Sequence, residues 1–512
     1  MALSLIRGKY VICKVTSRTE ADIIEDGVVV QRDGVILELG RFQELHTKYQ
    51  SAEVIGSDAH LVMPGFVNSH HHVGLTPFQL GSPDYPLELW FASRLGVRDV
   101  DPYLDTLYSA FEMVESGITT VQHLHGWRLG PAARVIAVAD QILKAYEDLG
   151  MRVSYSFAVR DQNRLVYEAD ADFVKRLPPD LAPTLAAWFQ AQTMTYEDHL
   201  QVFTDLWGRW NDHARVRIQL APANLHWCSD AALQALQEYA VKYQVGMHMH
   251  LLETAYQKEY ARRRTGTTAV RYLYDLGLLG PHMTLGHGVW LTEDDIDLIA
   301  ETGTMICHNA SSNLRLRSGV APVNAYTARG VRVALGLDEA GINDDRDMLQ
   351  EMRMALRLHR VPGMDDVVPT APQVFQMATE HGALTTGFAN HIGTLAPGQA
   401  ADLVVMNWQQ IAAPYLAPHT PVVDAVVHRG KTSGIETVLV AGEPVLHQGR
   451  FTRVDKAEAL AELGRKLQVP LRPEEAERAR LGQRVFPYVK GFYEGWLEAQ
   501  ARDPFYRPSS RH

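Results

Sequence analysis

Between residues 65 and 340 the chain alternates short apolar runs with longer amphipathic ones, and no other feature limits its fold as strongly. The runs GITTVQHLH, RVSYSFAV, RVRIQLAPA, VGMHMHLLE, MTLGHGV, TMICHN and VRVALGLD, preceded by one entering Val67, make eight predicted strands. Strand and helix in strict succession require parallel strands. Eight repeats over about 300 residues predict a closed (β/α)8 TIM-type barrel of the α/β class. One connecting helix is readable in detail: Ser229 or Asp230 caps it, and Leu233, Leu236, Ala240 and Tyr243 fall on one face.

Strand-and-turn texture flanks this region on both sides. GKYVICKV, DGVVVQRDGVILELG and AEVIGSDAHLVMPG precede it, with Asp33-Gly34 as a hairpin signal. IGTLAPGQAADLVVMN, DAVVHRG and GIETVLVAGEPVLHQGR follow it. The expected organisation is a small β-sandwich built from residues 1–63 and 390–455, the barrel at 64–389 inserted between them, and a helical extension at 456–512. In that extension Val485, Val489, Phe492 and Trp496 repeat at helical spacing, which predicts a helix packed on the barrel or on a sister subunit.

Composition narrows the function classes. Apolar residues at 46% and charged residues at 21% are ordinary globular usage. With 49 basic against 60 acidic residues the net charge is −11, and no basic stripe suits nucleic acid or an anionic membrane. The three cysteines, Cys13, Cys228 and Cys307, are far apart and odd in number, so a reducing cytoplasm is expected. No apolar stretch approaches the ~20 residues of a membrane helix.

The chemistry-bearing residues cluster at predicted strand ends. In VNSHHH, alternate side chains share a face, so His70 and His72 point one way and His71 the other. His248 and His250 repeat that spacing in GMHMHLLE, with Met247 and Met249 on the opposite face. Glu253 has the wrong parity and can turn inward only if the strand has already ended. His287 closes TLGH, and the apolar VRVALGL run ends in Asp338, where a buried acid demands a partner or a metal. Imidazoles and carboxylates at the carboxyl ends of strands one, five, six and eight meet at one mouth, the pattern of a metal site.

The chain resembles the amidohydrolase superfamily, in the branch that holds cytosine, guanine and adenosylhomocysteine deaminases and the triazine (atrazine-type) hydrolases. MPGFVNSHHH is similar to that branch's PGFVNtHxH, HMHLLET to HxHLaET, and LGHGVWL to laHcvhl. HNASSNLRLRSGVAPV is similar to HNPxSNlkLxSGiaPv, and GTLAPGQAADLVVMN to its closing β segment. The resemblance implies that His70, His72, His250 and Asp338 are metal ligands, and that Glu253, His287 and Asp338 do the acid–base and orienting work. Three neutral imidazoles and one carboxylate leave a divalent ion with net positive charge, which lowers the pKa of its water toward neutrality. Asp338 would accept the water proton and pass it to the departing nitrogen. Glu253 would protonate a ring nitrogen, and His287 would steer the attacking oxygen.

Two-metal relatives carry a lysine at the end of strand four. RVRIQLAPA has none, so one divalent ion per subunit is expected: zinc, with iron(II) or manganese(II) compatible. The H-x-E with P-C-x-x-C pattern of the other zinc deaminase class is missing. Trp90, His123, His125, His226, Glu339 and Asn309 are candidate substrate contacts, each also readable as core, barrel filling or loop support. Many relatives place a histidine where Ala223 stands, and His226 lies three residues later. Relatives also tend to read GTDgxxSNn where this chain reads GLDEAGINDDRDM. Glu339, Asp344, Asp345 and Asp347 make that loop acidic, which favours neutral or cationic substrates, or else merely caps the next helix.

The expected function is an aminohydrolase releasing ammonia from a purine, pyrimidine, pterin or triazine-type ring. The alternatives are release of a substituted amine, chloride or thioether from a triazine-like ring, cleavage of a urea or amide bond, and a non-catalytic scaffold. A homo-oligomer is expected by analogy.

Overall fold

The structure is a computed structural model that describes residues 3–126, 130–364 and 367–497. Four strands open the chain: β1 (Leu3–Val15), β2 (Ala21–Arg32), β3 (Val35–Arg41) and β4 (Glu53–Pro64). The β2–β3 hairpin turns at Asp33 and Gly34, with φ of 54° and 86°. That pair of left-handed residues is what an Asp-Gly turn supplies at little steric cost.

Nine short parallel strands follow. β5 (Phe66–His71), β6 (Ile118–His125), β7 (Arg152–Val159), β8 (Val216–Ile218) and β9 (Ala221–Pro222) form one set. β10 (Met247–Leu251), β11 (Met283–His287), β12 (Met305–His308) and β13 (Val333–Leu335) form the other. Parallel bridges at Leu220–Met247 and His71–Asp338 join the two sets at both edges. All eight strands expected from the sequence are present, and the fourth is split into β8 and β9. The split falls at Gln219 and Leu220. Gln219 turns its amide into the interior and donates to Ser154 Oγ (2.7 Å) and the Thr385 carbonyl (3.1 Å), so its polar group is satisfied although buried.

Helices cover the outer faces of these strands. In the helix Asp230–Tyr243, Ser229 Oγ accepts from the Ala232 amide, and Leu233, Leu236 and Ala240 are buried. The chain then returns to the first sheet through β14 (Leu403–Asn407), β15 (Ile435–Val440), β16 (Glu443–His447) and β17 (Arg450–Phe451). Strands from residues 3–64 and 403–451 thus share one hydrogen-bonded sheet in the order β17-β16-β15-β14-β4-β1-β2-β3.

The extension forms two helices, Lys456–Leu467 and Pro473–Phe492. Val485 and Val489 are fully buried in a cluster with Ala92, Leu95 and Phe173, so this helix packs on its own chain. Residues 498–512 of the predicted extension lie outside the described residues. Among the described residues no helix is long and apolar enough to cross a membrane.

Candidate metal centre and pocket

The parallel strands all deliver their carboxyl ends to one rim, and the strand pleat decides what reaches its centre. His70 and His72 project together from the end of β5. His71, on the opposite face, donates toward the Asp338 carbonyl (3.3 Å) and meets Ser109 Oγ (3.2 Å). His70 Nε2 lies 3.0 Å from His72 Nε2 and 3.1 Å from His250 Nε2, and the last two nitrogens are 3.1 Å apart. Asp338 Oδ1 stands 3.1 Å from His72 Nε2 and 3.7 Å from His70 Nε2. The Asp338 amide donates to the His70 carbonyl at 2.8 Å, which ties the eighth strand's end to the first.

The outer nitrogens fix the tautomers. His72 Nδ1 donates to the Leu124 carbonyl (2.6 Å) and His250 Nδ1 to the Ala223 carbonyl (2.8 Å), so in each ring Nε2 is the position left to face the centre. His70 Nδ1 is held by His248 Nε2 at 2.8 Å. Burial, reinforced by the neighbouring imidazoles, pushes His70 and His250 far toward the neutral form. Burial also opposes charge on His72 and on Asp338. The hydrogen bond and the opposite charge that each offers the other, helped by Glu339 and Ser312, together outweigh burial, raising the His72 pKa and holding the Asp338 carboxyl well below the usual carboxylate range, so Asp338 draws to His72 Nε2 the positive charge that a bound cation would supply. Lone pairs of neutral rings about 3 Å apart repel unless a cation lies between them, so this donor set fits a divalent ion.

Glu253 and His287, expected from the sequence to do the acid–base and orienting work, flank that point. β10 ends at Leu251, and Leu252 takes a left-handed φ of 50°, which turns Glu253 inward against the strand's parity. Glu253 Oε1 accepts from Ser318 Oγ (3.2 Å), and burial raises its pKa to about 7. His287 Nε2 sits 3.7 Å from Glu253 Oε2 and 3.8 Å from Asp338 Oδ2, while its Nδ1 donates to Asn313 Oδ1 at 2.8 Å. His287 and Asp338 both hold left-handed backbone, with φ of 71° and 55°. Such strain in non-glycine residues costs of order 1–3 kcal/mol each and collects at functional sites.

A narrow pocket of about 40 Å³ opens over these groups, and Trp90, Phe91, Arg94, Arg160, Trp227, Gln257 and Glu339 contribute to its wall. Of the candidate substrate contacts, Trp90 and Glu339 line it. His123 and His125 instead face a neighbouring cavity on the other side of His72, where His123 Nδ1 meets the Tyr146 hydroxyl at 2.9 Å. His226 is buried against Tyr167 and Trp227, outside the pocket wall, with both ring centroids 4.2 Å away. Asn309 sits behind His287, its Nδ2 3.3 Å from Nε2.

The acidic loop is largely neutralised within the chain. Glu339 pairs with Arg94 (2.7 Å), Asp344 with Arg315 (2.8 Å), and Asp347 caps the helix Met348–Leu358. Sequence reasoning missed Arg94, Arg160, Trp227 and Gln257, which come from helices and loops carrying no motif. It also missed Ser312, whose hydroxyl donates to Asp338 Oδ2 at 2.6 Å.

The model of the amidohydrolase family matches residues 61–445. A 5-methylthioadenosine/S-adenosylhomocysteine deaminase of Thermodesulfovibrio yellowstonii is 28% identical over 464 residues, covering 89% of this chain and 96% of the relative. Among solved structures, an adenosine deaminase from Xanthomonas campestris with bound zinc superimposes with a TM-score of 0.75 at 23% identity, over 93% of this chain and 98% of the other. Atrazine chlorohydrolase from Arthrobacter aurescens in complex with zinc gives 0.77 at 20% identity, over 90% and 99%.

Proposed function

We propose that this chain, which belongs to the amidohydrolase family, is a metal-dependent aminohydrolase that replaces the exocyclic amine of a purine-type ring by oxygen and releases ammonia. The observation that carries the reading is the convergence of His70, His72 and His250 on one point with Asp338 beside them. We read the two parallel strand sets as one closed (β/α)8 barrel, with this point at its carboxyl-end mouth. The sheet from residues 1–63 and 390–455 would be a separate small domain, and 456–512 an extension. We assign one zinc ion to the three histidines and Asp338, since the fourth strand offers no lysine for a second.

A divalent ion held there supplies the Lewis acidity that makes water a competent nucleophile near neutral pH. Asp338, ionised and anchored by Ser312, takes the proton from the attacking water at Oδ2 and passes it to the exocyclic amine, which leaves as ammonia as the C–N bond breaks and the adduct's hydroxyl proton returns to Glu253. His287, its Nδ1 fixed by Asn313, faces the same water with Nε2 and aligns it. Glu253, protonated near neutrality because it is buried, delivers its proton to a ring nitrogen, so charge does not accumulate on the ring. Trp90 and Trp227, with Arg94 and Arg160 stacked over their rings at 4.2 and 3.9 Å, give the wall an aromatic surface suited to a flat heterocycle.

The pocket shares Phe91, Arg94 and Arg160 with an outer chamber of about 590 Å³. A free base would leave that space idle, which favours a neutral nucleoside with a substituent on its sugar over a bare ring. The relative named as a methylthioadenosine and adenosylhomocysteine deaminase supports the same choice. Buried, unpaired Cys13, Cys228 and Cys307 suit a reducing compartment such as the cytoplasm.

The test is ammonia release by purified, zinc-loaded protein from adenosine-type nucleosides, compared with guanine, cytosine, pterins and triazines. Turnover of adenosine-type nucleosides ahead of the other rings supports the proposal. Bound zinc without ammonia from any of these compounds defeats it.

A further inference from the structure

One buried carboxylate near the pocket belongs to neither the metal centre nor the acid–base pair. Glu88 lies in the short helix Leu87–Arg94 and is 3% exposed. The same helix sends Trp90, Phe91 and Arg94 into the pocket wall. Glu88 Oε1 accepts two hydroxyl hydrogen bonds, from Tyr167 (2.9 Å) and from Thr254. Thr254 directly follows Glu253 and caps the helix Ala255–Thr265, where its Oγ1 accepts from the Gln257 amide. Gln257 returns the contact, accepting from the Glu253 amide at 2.8 Å. Burying a carboxylate among neutral donors costs more than burying an amide or an alkyl group, so mere packing does not call for a charge here.

The C-terminal extension, beyond the residues matched by the family model, braces the same assembly. Tyr493 and Trp496 pack on the Tyr167 ring at 5.3 and 6.0 Å. Arg478 donates to the Leu95 and Val97 carbonyls just past the pocket helix, at 3.0 and 2.8 Å.

We propose that Glu88 is a positioning residue, which locks the pocket helix to the Glu253–Thr254 turn and thereby sets the distance between the bound ring and its proton donor. It touches neither substrate nor metal and acts through Thr254 and Tyr167. The proposal rests on the aminohydrolase reading for its effect on rate, but the physical tie between the two segments does not. The charge of Glu88 also adds to the pressure that keeps Glu253 protonated.

The test compares zinc-loaded full-length wild type with Glu88→Ala, Glu88→Gln and Thr254→Val. With zinc content unchanged, Glu88→Ala should lower kcat/KM for the best nucleoside by about tenfold or more, as expected when a charged hydrogen-bonding anchor is lost. Amide hydrogen exchange should accelerate in residues 87–94 and 251–257 together. Glu88→Gln still accepts from both hydroxyls, so it should restore most of kcat/KM, while the alkaline limb of its pH profile moves to lower pH. Glu88→Ala with wild-type exchange in both segments and kcat/KM within about twofold of wild type would overturn the proposal. If Glu88→Ala does not fold, Thr254→Val removes one of the two hydroxyls, and unchanged exchange in both segments would overturn it equally. If wild type releases no ammonia at all, the aminohydrolase reading fails, and the exchange comparison alone decides the positioning role.

Discussion

His72 Nε2 and His250 Nε2 face each other at 3.1 Å, while the opposite nitrogen of each ring is committed to a main-chain carbonyl, Leu124 for one and Ala223 for the other. Neither ring can offer the other a proton without breaking its outer bond, so the contact makes sense around a cation. Stripping the protein with a strong chelator should therefore abolish ammonia release, and zinc should restore it. The apo protein should also melt at lower temperature, because a ligand at a thousandfold excess over its Kd stabilises the fold by about 4 kcal/mol. His72→Ala should show the apo melting temperature even with zinc added. A chelated protein with full activity would remove the metal from the mechanism.

Glu253 sets the expected pH dependence. Burial raises its pKa to about 7, so it carries its proton below that pH and loses it above. As a proton donor it should keep kcat/KM level on the acid side and let it fall as pH rises through about 7. Glu253→Gln should remove that limb and lower kcat by about a hundredfold or more, with zinc content intact. A Glu253→Gln enzyme of wild-type rate would show that the proton comes from elsewhere.

Ser312 and Asp338 separate orientation from charge. The Ser312 hydroxyl fixes one Asp338 oxygen at 2.6 Å while the other oxygen faces His72. Asp338→Asn should abolish turnover, since it removes the proton acceptor. Ser312→Ala should cost about 10- to 100-fold in metal affinity or rate, the usual effect of losing an outer partner of a ligand. Equilibrium zinc titration together with steady-state kinetics distinguishes the two outcomes.

The convergence of His70, His72 and His250 is legible in the strand pleat alone. Alternation at His70, His71 and His72 and at His248 and His250 depends only on the period of two. The inward turn of Glu253 was conditional on the strand ending, and Leu252 meets that condition with its left-handed backbone. The pocket wall was less legible, because Arg160 and Trp227 sit in loops placed by packing rather than by local pattern. The acidic loop fulfils its expected capping role at Asp347, but its charge partners were hidden for a related reason. Its charges find Arg94 and Arg315, and Arg94 lies 245 residues from its partner Glu339, a pairing that no local motif announces. The break of the fourth strand at Gln219 likewise depends on Ser154 and Thr385 being in reach.

Glu351 predicts how stability responds to pH away from the metal. Its carboxyl is buried, accepts from the Ser311 amide at 3.0 Å, and is raised by burial from 4.5 to about 7. A raised folded-state pKa means the folded protein binds a proton that the unfolded chain has released. Its contribution is therefore complete below about pH 4.5 and is lost as pH rises through about 7. The loss amounts to about 3 kcal/mol by linkage. Glu351→Gln should flatten that part of the stability profile, leaving the variant relatively more stable at pH 8 than at pH 5 in denaturant titrations.

Arg152 and Asp402 join the two sheet systems. Arg152 opens β7, Asp402 immediately precedes β14, and their side chains form two parallel hydrogen bonds of 2.8 Å, with side-chain exposures of 5% and 1%. Asp402 also accepts from the Ala441 amide at 2.7 Å, and Arg152 donates to the Ala214 carbonyl at 2.8 Å. Removing one member strands the other charge in a dry interior, at a cost of about 3–5 kcal/mol, whereas replacing both by apolar residues of similar size is often neutral. Asp402→Leu should therefore destabilise the protein strongly, and adding Arg152→Met should recover much of the loss. Zinc content and ammonia release of the folded fraction should stay at wild-type level throughout, because neither residue lies in the pocket wall. If the double variant proved less stable than Asp402→Leu alone, the pair would be holding the sheets together by its own attraction rather than by mutual neutralisation.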